Sequence, residues 1–394
     1  MISKFLKGGV LLPKPIKTGV PSQIEVNREM VKNTHTEVAI GELRMRATTI
    51  DPISDNRWDD FVMRHPESTI FHHSAWAQVL RDRYRCSPTY YVLENERGEI
   101  SAAAPFFQIQ SPLTGKRLAC LPCSEYCFPL AYSDEDVRQL LIAAKEEVYS
   151  GRVSYLEIRG WRDLAAPEEL GLKEHPSLLA HVVGLDNDAD RLRSRFDHRA
   201  RRGLKRAEKS QLTVRVAEGE DDVKEFHRLT TATRRRLNLL PWPYRFFQSI
   251  YRHIIVPGHG FLLLAELDGK VIAGTMYFLF KDTILYKFNA SDKNYSQYRP
   301  NYLLIWNAME RACQEGYRRF DFGVSNPENQ GLITFKRHWG TEEMVLPYYY
   351  YPAIHGLSSL TNTRLTRRAQ TAVIKLMPEF AAKLVCEALY RHLG

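Results

Sequence analysis

The two halves of this 394-residue chain carry the same succession of sequence patterns. In the first half, TYYVLENERGEISAAAPFFQIQ alternates as two strands around an Arg-Gly turn. In the second half, FLLLAELDGKVIAGTMYFLF has the same pattern around an Asp-Gly turn. Each hairpin is followed by an amphipathic helix that ends in glycine, and then by a short strand with one central acid. This similarity predicts two related α/β domains, each a mixed (α+β) sheet with helices on its faces. It makes Asp321 in RFDFG the counterpart of Glu157 in YLEIRG.

We expect four segments along the chain. Residues 1–40 are polar and predict a flexible N-terminal tail, residues 41–190 and 191–352 form the two domains, and residues 353–394 form a C-terminal amphipathic helical segment. Two roles stay open for that last segment: docking on the protein itself, or contact with a membrane surface.

The composition favours a globular protein with an anionic partner. The hydrophobic fraction is 44%, and no apolar run approaches the ~20 residues of a membrane span. With no secretory signal pattern at the N-terminus, we expect a cytoplasmic location, with a peripheral contact at the inner membrane face as a further option. The net charge of +9 favours phosphates, nucleic acid or an anionic membrane face and does not choose among them.

The segment 191–209 is the most basic part of the chain. Phe196, Ala200, Leu204 and Ala207 recur at helical spacing, and the remaining face carries nine Lys and Arg residues. Two interpretations stay open: a solvated basic face of the second domain's first helix, or a contact with phosphate or anionic lipid.

A cysteine cluster in ACLPCSEYC raises the question of a metal. Cys120 and Cys123 have C-x-x-C spacing, but no second C-x-x-C or H-x-x-x-H completes a zinc site. We therefore expect Cys120, Cys123 and Cys127 to be buried or turn cysteines, and a site that needs no metal.

The stretch DFGVSNPENQGLITFKRHWG begins with the magnesium-binding triplet of protein kinases. A kinase site also needs a glycine-rich loop, a strand lysine and an HRD-type catalytic loop upstream, and no GxGxxG occurs in this chain. The triplet is therefore not a kinase signature. Because Asp321 alternates with Phe320 and Phe322, it should face the opposite side of its strand from both.

Several ordered blocks together resemble the Fem-type (FemAB-like) branch of the GNAT acyltransferase superfamily, over about residues 55–350. They are IFHHSAWAQVL, RSRFDHRARRGLKRAEKSQL, YRPNYLLIW, GYRRFDFG and GLITFKRHWG. The chain is especially similar to FemAB-like proteins encoded with exopolysaccharide and exosortase systems. The resemblance implies tandem GNAT-like domains and transfer of an acyl or aminoacyl group to an amine of a cell-envelope or exopolysaccharide precursor.

The resemblance leaves the donor open between acyl-CoA and aminoacyl-tRNA, with no tightly bound cofactor implied. Acetyl-CoA-dependent relatives carry a glycine-rich segment where this chain reads SDKNYSQYRPNYLL. Peptidoglycan-bridge enzymes, which use aminoacyl-tRNA, often carry a coiled-coil arm, and no sustained heptad pattern appears between Glu218 and Gly260. RNA is a partner only if the donor is charged tRNA.

The resemblance also implies the site. Two neighbouring strands, TILYKFNAS and RRFDFG, should splay and hold the donor carbonyl in their gap. Lys336 would stabilise charge and Phe335 would pack the donor, within a motif that also contains Trp339. Without the family, a surface salt bridge is an equal alternative for Lys336. Asp321 is a candidate base or substrate anchor, or equally a partner that fixes Lys336 or Arg337.

Four further residues are candidate substrate-binding groups. Arg299 and Asn301 flank Pro300 at a helix N-terminus, where free N–H groups and the helix dipole favour a phosphate. A plain capping role is the alternative for Arg299. Tyr286 and Asn289 lie on the strand expected to splay. The rival function is a non-catalytic GNAT-like module that binds an anionic glycan, lipid diphosphate or RNA through its basic face.

Overall fold

The structure, a computed structural model, describes residues 47–352 apart from residues 85–86, 112–114, 122 and 160–166. The predicted N-terminal tail and C-terminal amphipathic segment lie outside the described residues. Within the described ranges, no helix has both the length and the apolar character to cross a bilayer.

The strands of the described chain form one continuous sheet. In chain order they are β1 (Thr48–Ile50), β2 (Ser87–Glu94), β3 (Ile100–Ser111), β4 (Gly115–Cys120), β5 (Tyr155–Arg159), β6 (Lys173–Gly184), β7 (Thr213–Val216), β8 (Gly260–Leu267), β9 (Lys270–Phe280), β10 (Thr283–Ser291), β11 (Arg319–Ser325) and β12 (Glu342–Tyr351). The spatial order is β1-β2-β3-β4-β5-β12-β6-β11-β10-β9-β8-β7.

The helices cover the sheet. They are α1 (Arg57–Arg64), α2 (Ser74–Tyr84), α3 (Asp134–Tyr149), α4 (Ala189–Ser194), α5 (His198–Glu208), α6 (Glu220–Arg236), α7 (Tyr244–Ile250), α8 (Pro300–Glu315) and α9 (Gln330–Arg337). A π-helical turn at Tyr251–Ile255 and a 3-10 turn at Lys293–Tyr298 complete them. The helix ends follow local sequence signals: Ser133 caps α3 by accepting from the Asp136 N–H, and Pro300 and Gly316 bound α8.

The predicted tandem α/β fold is confirmed. Three antiparallel strands (β2-β3-β4), a helix (α3) and a parallel strand (β5) make up the first repeat, and β8-β9-β10, α8 and β11 make up the second. The parallel pairs have matching registers: the last paired residue is Glu157, opposite Ala119, in one and Asp321, opposite Leu285, in the other. The two acids therefore occupy equivalent positions, as the sequence predicted.

The two repeats exchange their last strands. β6 follows the first repeat in sequence but pairs with β11 of the second, while β12 follows the second repeat and pairs with β5 of the first. β6 and β12 also pair with each other in the middle of the sheet. A division at residue 190 thus separates the repeats in sequence, while the backbone hydrogen bonding runs across it.

Two apolar cores lie on opposite faces of the second repeat. One includes residues of α6 and α7 and continues into the first repeat; the other includes residues of α4, α5 and α8. Phe320 and Phe322 belong to the second core, and Asp321 points to the opposite face, as predicted.

The basic segment forms α4 and α5, and its predicted apolar stripe is confirmed. Phe196, Ala200, Leu204 and Ala207 are all buried. Gly203 lies so close to α8 that a Cβ there would come within 2.6 Å of the Tyr302 ring. The opposite face of α5 remains exposed with its arginines and lysines.

The cysteine cluster lies in and beside the turn after β4. Cys120 and Cys127 are buried and Cys123 is half-buried in the turn, as predicted for structural cysteines.

Candidate functional site

The site lies where β10 and β11 diverge. Their parallel pairing spans only three positions, ending at Leu285 and Asp321. Beyond this point a register shift leaves Lys287 as an extra residue in β10, and a second shift in β11 follows Asp321. Gly323 in that shift has φ of +66°, a region that favours glycine. The gap between splayed strands that the resemblance implied is therefore present.

Asp321 is buried at the start of this gap. Its side chain is 8% exposed, and its Oδ1 accepts hydrogen bonds from the Tyr126 hydroxyl at 2.9 Å and the Gly323 N–H at 2.7 Å. Burial raises the pKa of Asp321 to about 6, although the two hydrogen bonds oppose that rise. The carboxyl can therefore both accept and release a proton near neutral pH.

Lys336 lies on the other side of the same bulge. Its ammonium donates to the Gly323 carbonyl at 3.1 Å and the Val324 carbonyl at 3.0 Å, and the residue is 2% exposed. Burial lowers the pKa of Lys336 to about 8, while Asp321 and Glu125 act in the opposite direction. Lys336 is thus a buried cation next to the gap and not a surface residue.

A loop of the first repeat closes the gap from the cleft side. Glu125 forms an ion pair with Lys287 at 2.6 Å, and the Lys287 ammonium also donates to the Cys123 carbonyl at 2.8 Å. Four ionisable groups of alternating charge therefore surround the divergence of β10 and β11: Glu125, Lys287, Asp321 and Lys336.

A cleft of about 440 Å³ leads to Asp321. Asp321 and Tyr126 line it together with apolar side chains of β6, β9, β10 and β12 and the segment between α1 and α2. Glu67, Lys281 and Arg319 are the charged residues among its other walls. A mostly apolar cleft with a few polar groups around a perturbed carboxyl is the usual form of a small-substrate site.

The equivalent position of the first repeat is chemically different. Glu157 is held by Arg159 at 2.7 Å and lies 3.8 Å from Arg117. Glu157 therefore faces two guanidinium groups, whereas Asp321 accepts hydrogen bonds from a hydroxyl and a backbone N–H. The ionisable groups suited to acid–base chemistry belong to the second repeat.

Three of the predicted substrate-binding residues, Asn289, Arg299 and Asn301, lie together at the start of α8. The Asn289 amide donates to Thr275 Oγ1 at 2.8 Å and to Asn301 Oδ1 at 3.3 Å. Arg299 is exposed, with φ of +57°, and makes no side-chain cap. This group lies at the far end of β10 from Asp321, so the two sets of predicted residues mark the two ends of the gap.

The aromatic residues predicted to bind substrate are less exposed than Arg299. Phe335 and Tyr286 are half-buried, and Tyr286 packs against Phe322 on the α8 side of the sheet. Trp339 is 0% exposed and packs between Phe196 and Tyr302. The structure therefore places Trp339 in the core beneath Phe335.

Three site residues were absent from the sequence prediction: Glu125, Tyr126 and Lys287. Glu125 and Tyr126 lie inside the cysteine cluster, where the C-x-x-C spacing is the more prominent pattern. The available signal was the pair of adjacent polar residues in a turn directly after a strand of the repeat, which is where loops carry function.

Comparisons with known proteins agree with this architecture. Residues 194–337 match a family described as Acetyltransferase (GNAT) domain. A Staphylococcus epidermidis protein named Lipid II:glycine glycyltransferase is 21% identical over 375 residues, covering 73% of this chain and 89% of the relative.

Two solved structures share the fold. FemX has a TM-score of 0.63 at 18% identity, with coverage of 79% of this chain and 97% of FemX. A tandem GNAT protein from the clavulanic acid biosynthesis pathway has a TM-score of 0.53 at 10% identity, covering 79% and 99%. Residues 194–337 thus form a GNAT acyltransferase domain within a tandem GNAT-like fold, and the chain is similar to FemAB-like acyltransferases.

Proposed function

We propose that the chain transfers an aminoacyl group from a charged tRNA to an amine of a cell-wall precursor, at the gap between β10 and β11. The observation that carries this proposal is a cleft-lining carboxyl of raised pKa, followed in its strand by two carbonyls that bind a buried ammonium of lowered pKa.

The two groups divide the chemistry. The acceptor amine attacks the donor carbonyl carbon, forming the new C–N bond while the carbonyl electron pair moves to oxygen. Asp321 takes the proton that the nitrogen loses, and the Lys336 ammonium stabilises the oxyanion. Collapse re-forms the carbonyl and breaks the ester C–O bond, and the proton held by Asp321 passes to the departing ribose oxygen.

The two substrates approach from opposite faces. Asp321 lines the cleft, so the acceptor amine enters there. The α8 N-terminus carries Arg299 and Asn301, so the phosphate-bearing part of the donor lies at that end. A donor carbonyl held in the gap then meets the amine without a covalent enzyme intermediate.

The shape of the basic surface favours RNA over CoA as donor. Arg199, Arg202, Arg206 and Lys209 form a stripe along α5, all exposed, and none has an acidic side-chain partner among the residues described. The stripe ends beside α8, where Ser210 Oγ donates to the Tyr298 carbonyl at 3.2 Å. It spans roughly 15 Å of helix, which suits several phosphates of a polyanion better than the compact phosphates of one CoA.

The acceptor class rests on the relatives. A protein named Lipid II:glycine glycyltransferase is similar over 73% of this chain, which favours an amine of a peptidoglycan-type precursor. The names of the similar proteins reported above mention no exopolysaccharide, so an exopolysaccharide acceptor is not part of the proposal. A lipid-linked acceptor would bring the protein to the inner membrane face.

The direct test is a transfer assay with the full-length chain. Purified protein receives radiolabelled aminoacyl-tRNA or acyl-CoA as donor, and a lipid-linked or soluble muramyl peptide as acceptor. Lys336→Ala should reduce transfer by about 100-fold or more, while Lys116→Ala, an exposed lysine of β4, should leave it unchanged. Full activity of Lys336→Ala would refute the site.

The identity of the donor is tested with a separate set of variants. Reversing Arg202 and Arg206 to Glu should weaken charged-tRNA binding and flatten its salt dependence, since each phosphate contact adds about one to the slope of log K against log salt. Arg97→Glu, at an exposed hairpin turn, should not. Transfer from acyl-CoA alone would overturn the RNA donor while leaving the site in place.

A further inference from the structure

We infer that the first-repeat loop of residues 123–127, here called the Glu125 loop, is a working part of the second repeat's active site, and that its Tyr126 positions Asp321 and sets the carboxyl's proton affinity. This inference rests on the proposed function, in which Asp321 accepts a proton. The first repeat is then a contributor to catalysis and not only a wall of the cleft.

The loop is tied at both ends. Cys127 exchanges backbone hydrogen bonds with Arg159 of β5, at 3.1 and 3.3 Å. On the other side, the Lys287 ammonium of β10 binds both the Glu125 carboxylate and the Cys123 carbonyl. The loop thus spans from the parallel strand of the first repeat to the bulged strand of the second.

The contact between Lys287 and the loop is costly to break because the Lys287 charge is removed from water. The Lys287 side chain is 3% exposed, and its ammonium lies 4.6 Å from the centre of the Phe71 ring and 5.5 Å from that of Trp76. Aromatic faces stabilise a cation only in part, so Glu125 supplies the compensating charge. Because Lys287 requires this compensating charge, the Glu125 loop is held in the gap between β10 and β11.

Tyr126 is presented by this anchored loop. It is 9% exposed, and its hydroxyl reaches Asp321 Oδ1 from a position 195 residues earlier in the chain. The Gly323 N–H binds the same oxygen, so Oδ1 is saturated from the protein side. Oδ2 has no hydrogen-bond partner among the described residues, and Asp321 lines the cleft. Oδ2 is therefore the oxygen left to take the acceptor's proton.

Two adjacent residues of the Glu125 loop shift the pKa of Asp321 in opposite directions. The Tyr126 hydroxyl stabilises the carboxylate and lowers the pKa of Asp321, whereas the negative charge of Glu125 raises it. Tyr126→Phe should therefore raise the pKa of Asp321, and Glu125→Gln should lower it. A loop with a purely structural role would give both variants the same kind of defect.

The test is the pH dependence of kcat/KM for wild type, Tyr126→Phe and Glu125→Gln, with Tyr149→Phe as control. Tyr149 is an exposed tyrosine bonded to Tyr351. Tyr126→Phe should move the acidic limb up by about one pH unit, with an approximately tenfold loss below the limb and little change on the plateau. Glu125→Gln should move it down, and Tyr149→Phe should not move it.

Two further measurements keep the outcome decisive. If Glu125→Gln unfolds, the double variant Glu125→Gln with Lys287→Met is compared with Lys287→Met alone, and loss of the Glu125 charge should again move the acidic limb down. Carbon-13 NMR titration of labelled aspartate reads the Asp321 carboxyl without turnover.

Each failure has a distinct signature. Absence of transfer in wild type refutes the proposed function, while the NMR shifts still decide the inference. Normal wild-type transfer with an unmoved limb in Tyr126→Phe, or shifts of the same sign in Tyr126→Phe and Glu125→Gln, overturns the inference alone.

Discussion

Replacing Lys336 by Met should reduce transfer by about 100-fold and yet slightly stabilise the protein at neutral pH. Met has a similar length and no charge, so the substitution removes the ammonium while keeping most of the packing. The lysine is held in its charged form in a place where charge is unfavourable, which is typical of a group retained for catalysis.

The size of the expected stability change follows from the pKa of Lys336. Burial lowers the pKa of Lys336 from 10.5 to about 8, so at pH 7 the charged form costs about 3 kcal/mol of folding stability. Met loses the donors to the Gly323 and Val324 carbonyls, at about 1 kcal/mol each. The variant should therefore be about 1 kcal/mol more stable than wild type at pH 7.

The difference in stability between wild type and Lys336→Met should change sign at alkaline pH. Between the folded pKa of about 8 and the unfolded value of 10.5, the unfolded chain binds the proton that the folded chain has released. Wild-type stability therefore gains from this group as pH rises, and at pH 10 Lys336→Met should be about 1 kcal/mol the less stable form.

Urea unfolding of both proteins at pH 7 and pH 10, with matched m-values, measures this crossover. A loss of several kcal/mol at pH 7 would refute the reasoning, because it would mean that the ammonium is a net stabilising group. So would a stability difference that does not change with pH.

Two glycine substitutions provide further tests. Gly203→Ala should destabilise the protein by about 1–3 kcal/mol through the clash with Tyr302, seen as a lower midpoint in urea, whereas Gly331→Ala, with no neighbour closer than 4.0 Å, should not. Gly323→Ala should cost about 1–2 kcal/mol for its positive φ and should reduce kcat by more than that stability loss explains, because the bulge aims an N–H at Asp321; equal kcat in a folded variant would contradict this.

Local patterns carried most of the fold prediction. The hairpins, α3, α8 and the strands with central acids depend on alternation, turn residues and helix ends, all of which are short-range signals. The equivalence of Glu157 and Asp321 followed from comparing two local patterns in order, and the registers confirm it.

The exchange of β6 and β12 could not be predicted in this way. Nothing in EEMVLPYYYY specifies that β12 pairs with β5 and β6 rather than with its own repeat. β6 was missed altogether, and its sequence KEHPSLLAHVVG contains a proline that weakens a strand pattern.

The candidate site, too, could be predicted from local sequence only in part. Lys336 and Asp321 came from a family resemblance, but their burial and pKa values depend on packing that no short motif encodes. Glu125 and Lys287 are 162 residues apart in sequence and meet only because the first repeat's turn enters the second repeat's gap. Such contacts are set by tertiary structure and not by spacing.

The central claim is that Asp321 accepts the proton while Lys336 stays charged, and the pH profile of transfer tests it most directly. Since Asp321 must be ionised and Lys336 protonated, kcat/KM should be bell-shaped, with limbs near pH 6 and pH 8. The residual activity of Asp321→Asn should lack the acidic limb, and that of Lys336→Met the alkaline one. A wild-type profile without these limbs, or variants that retain both, would contradict the account.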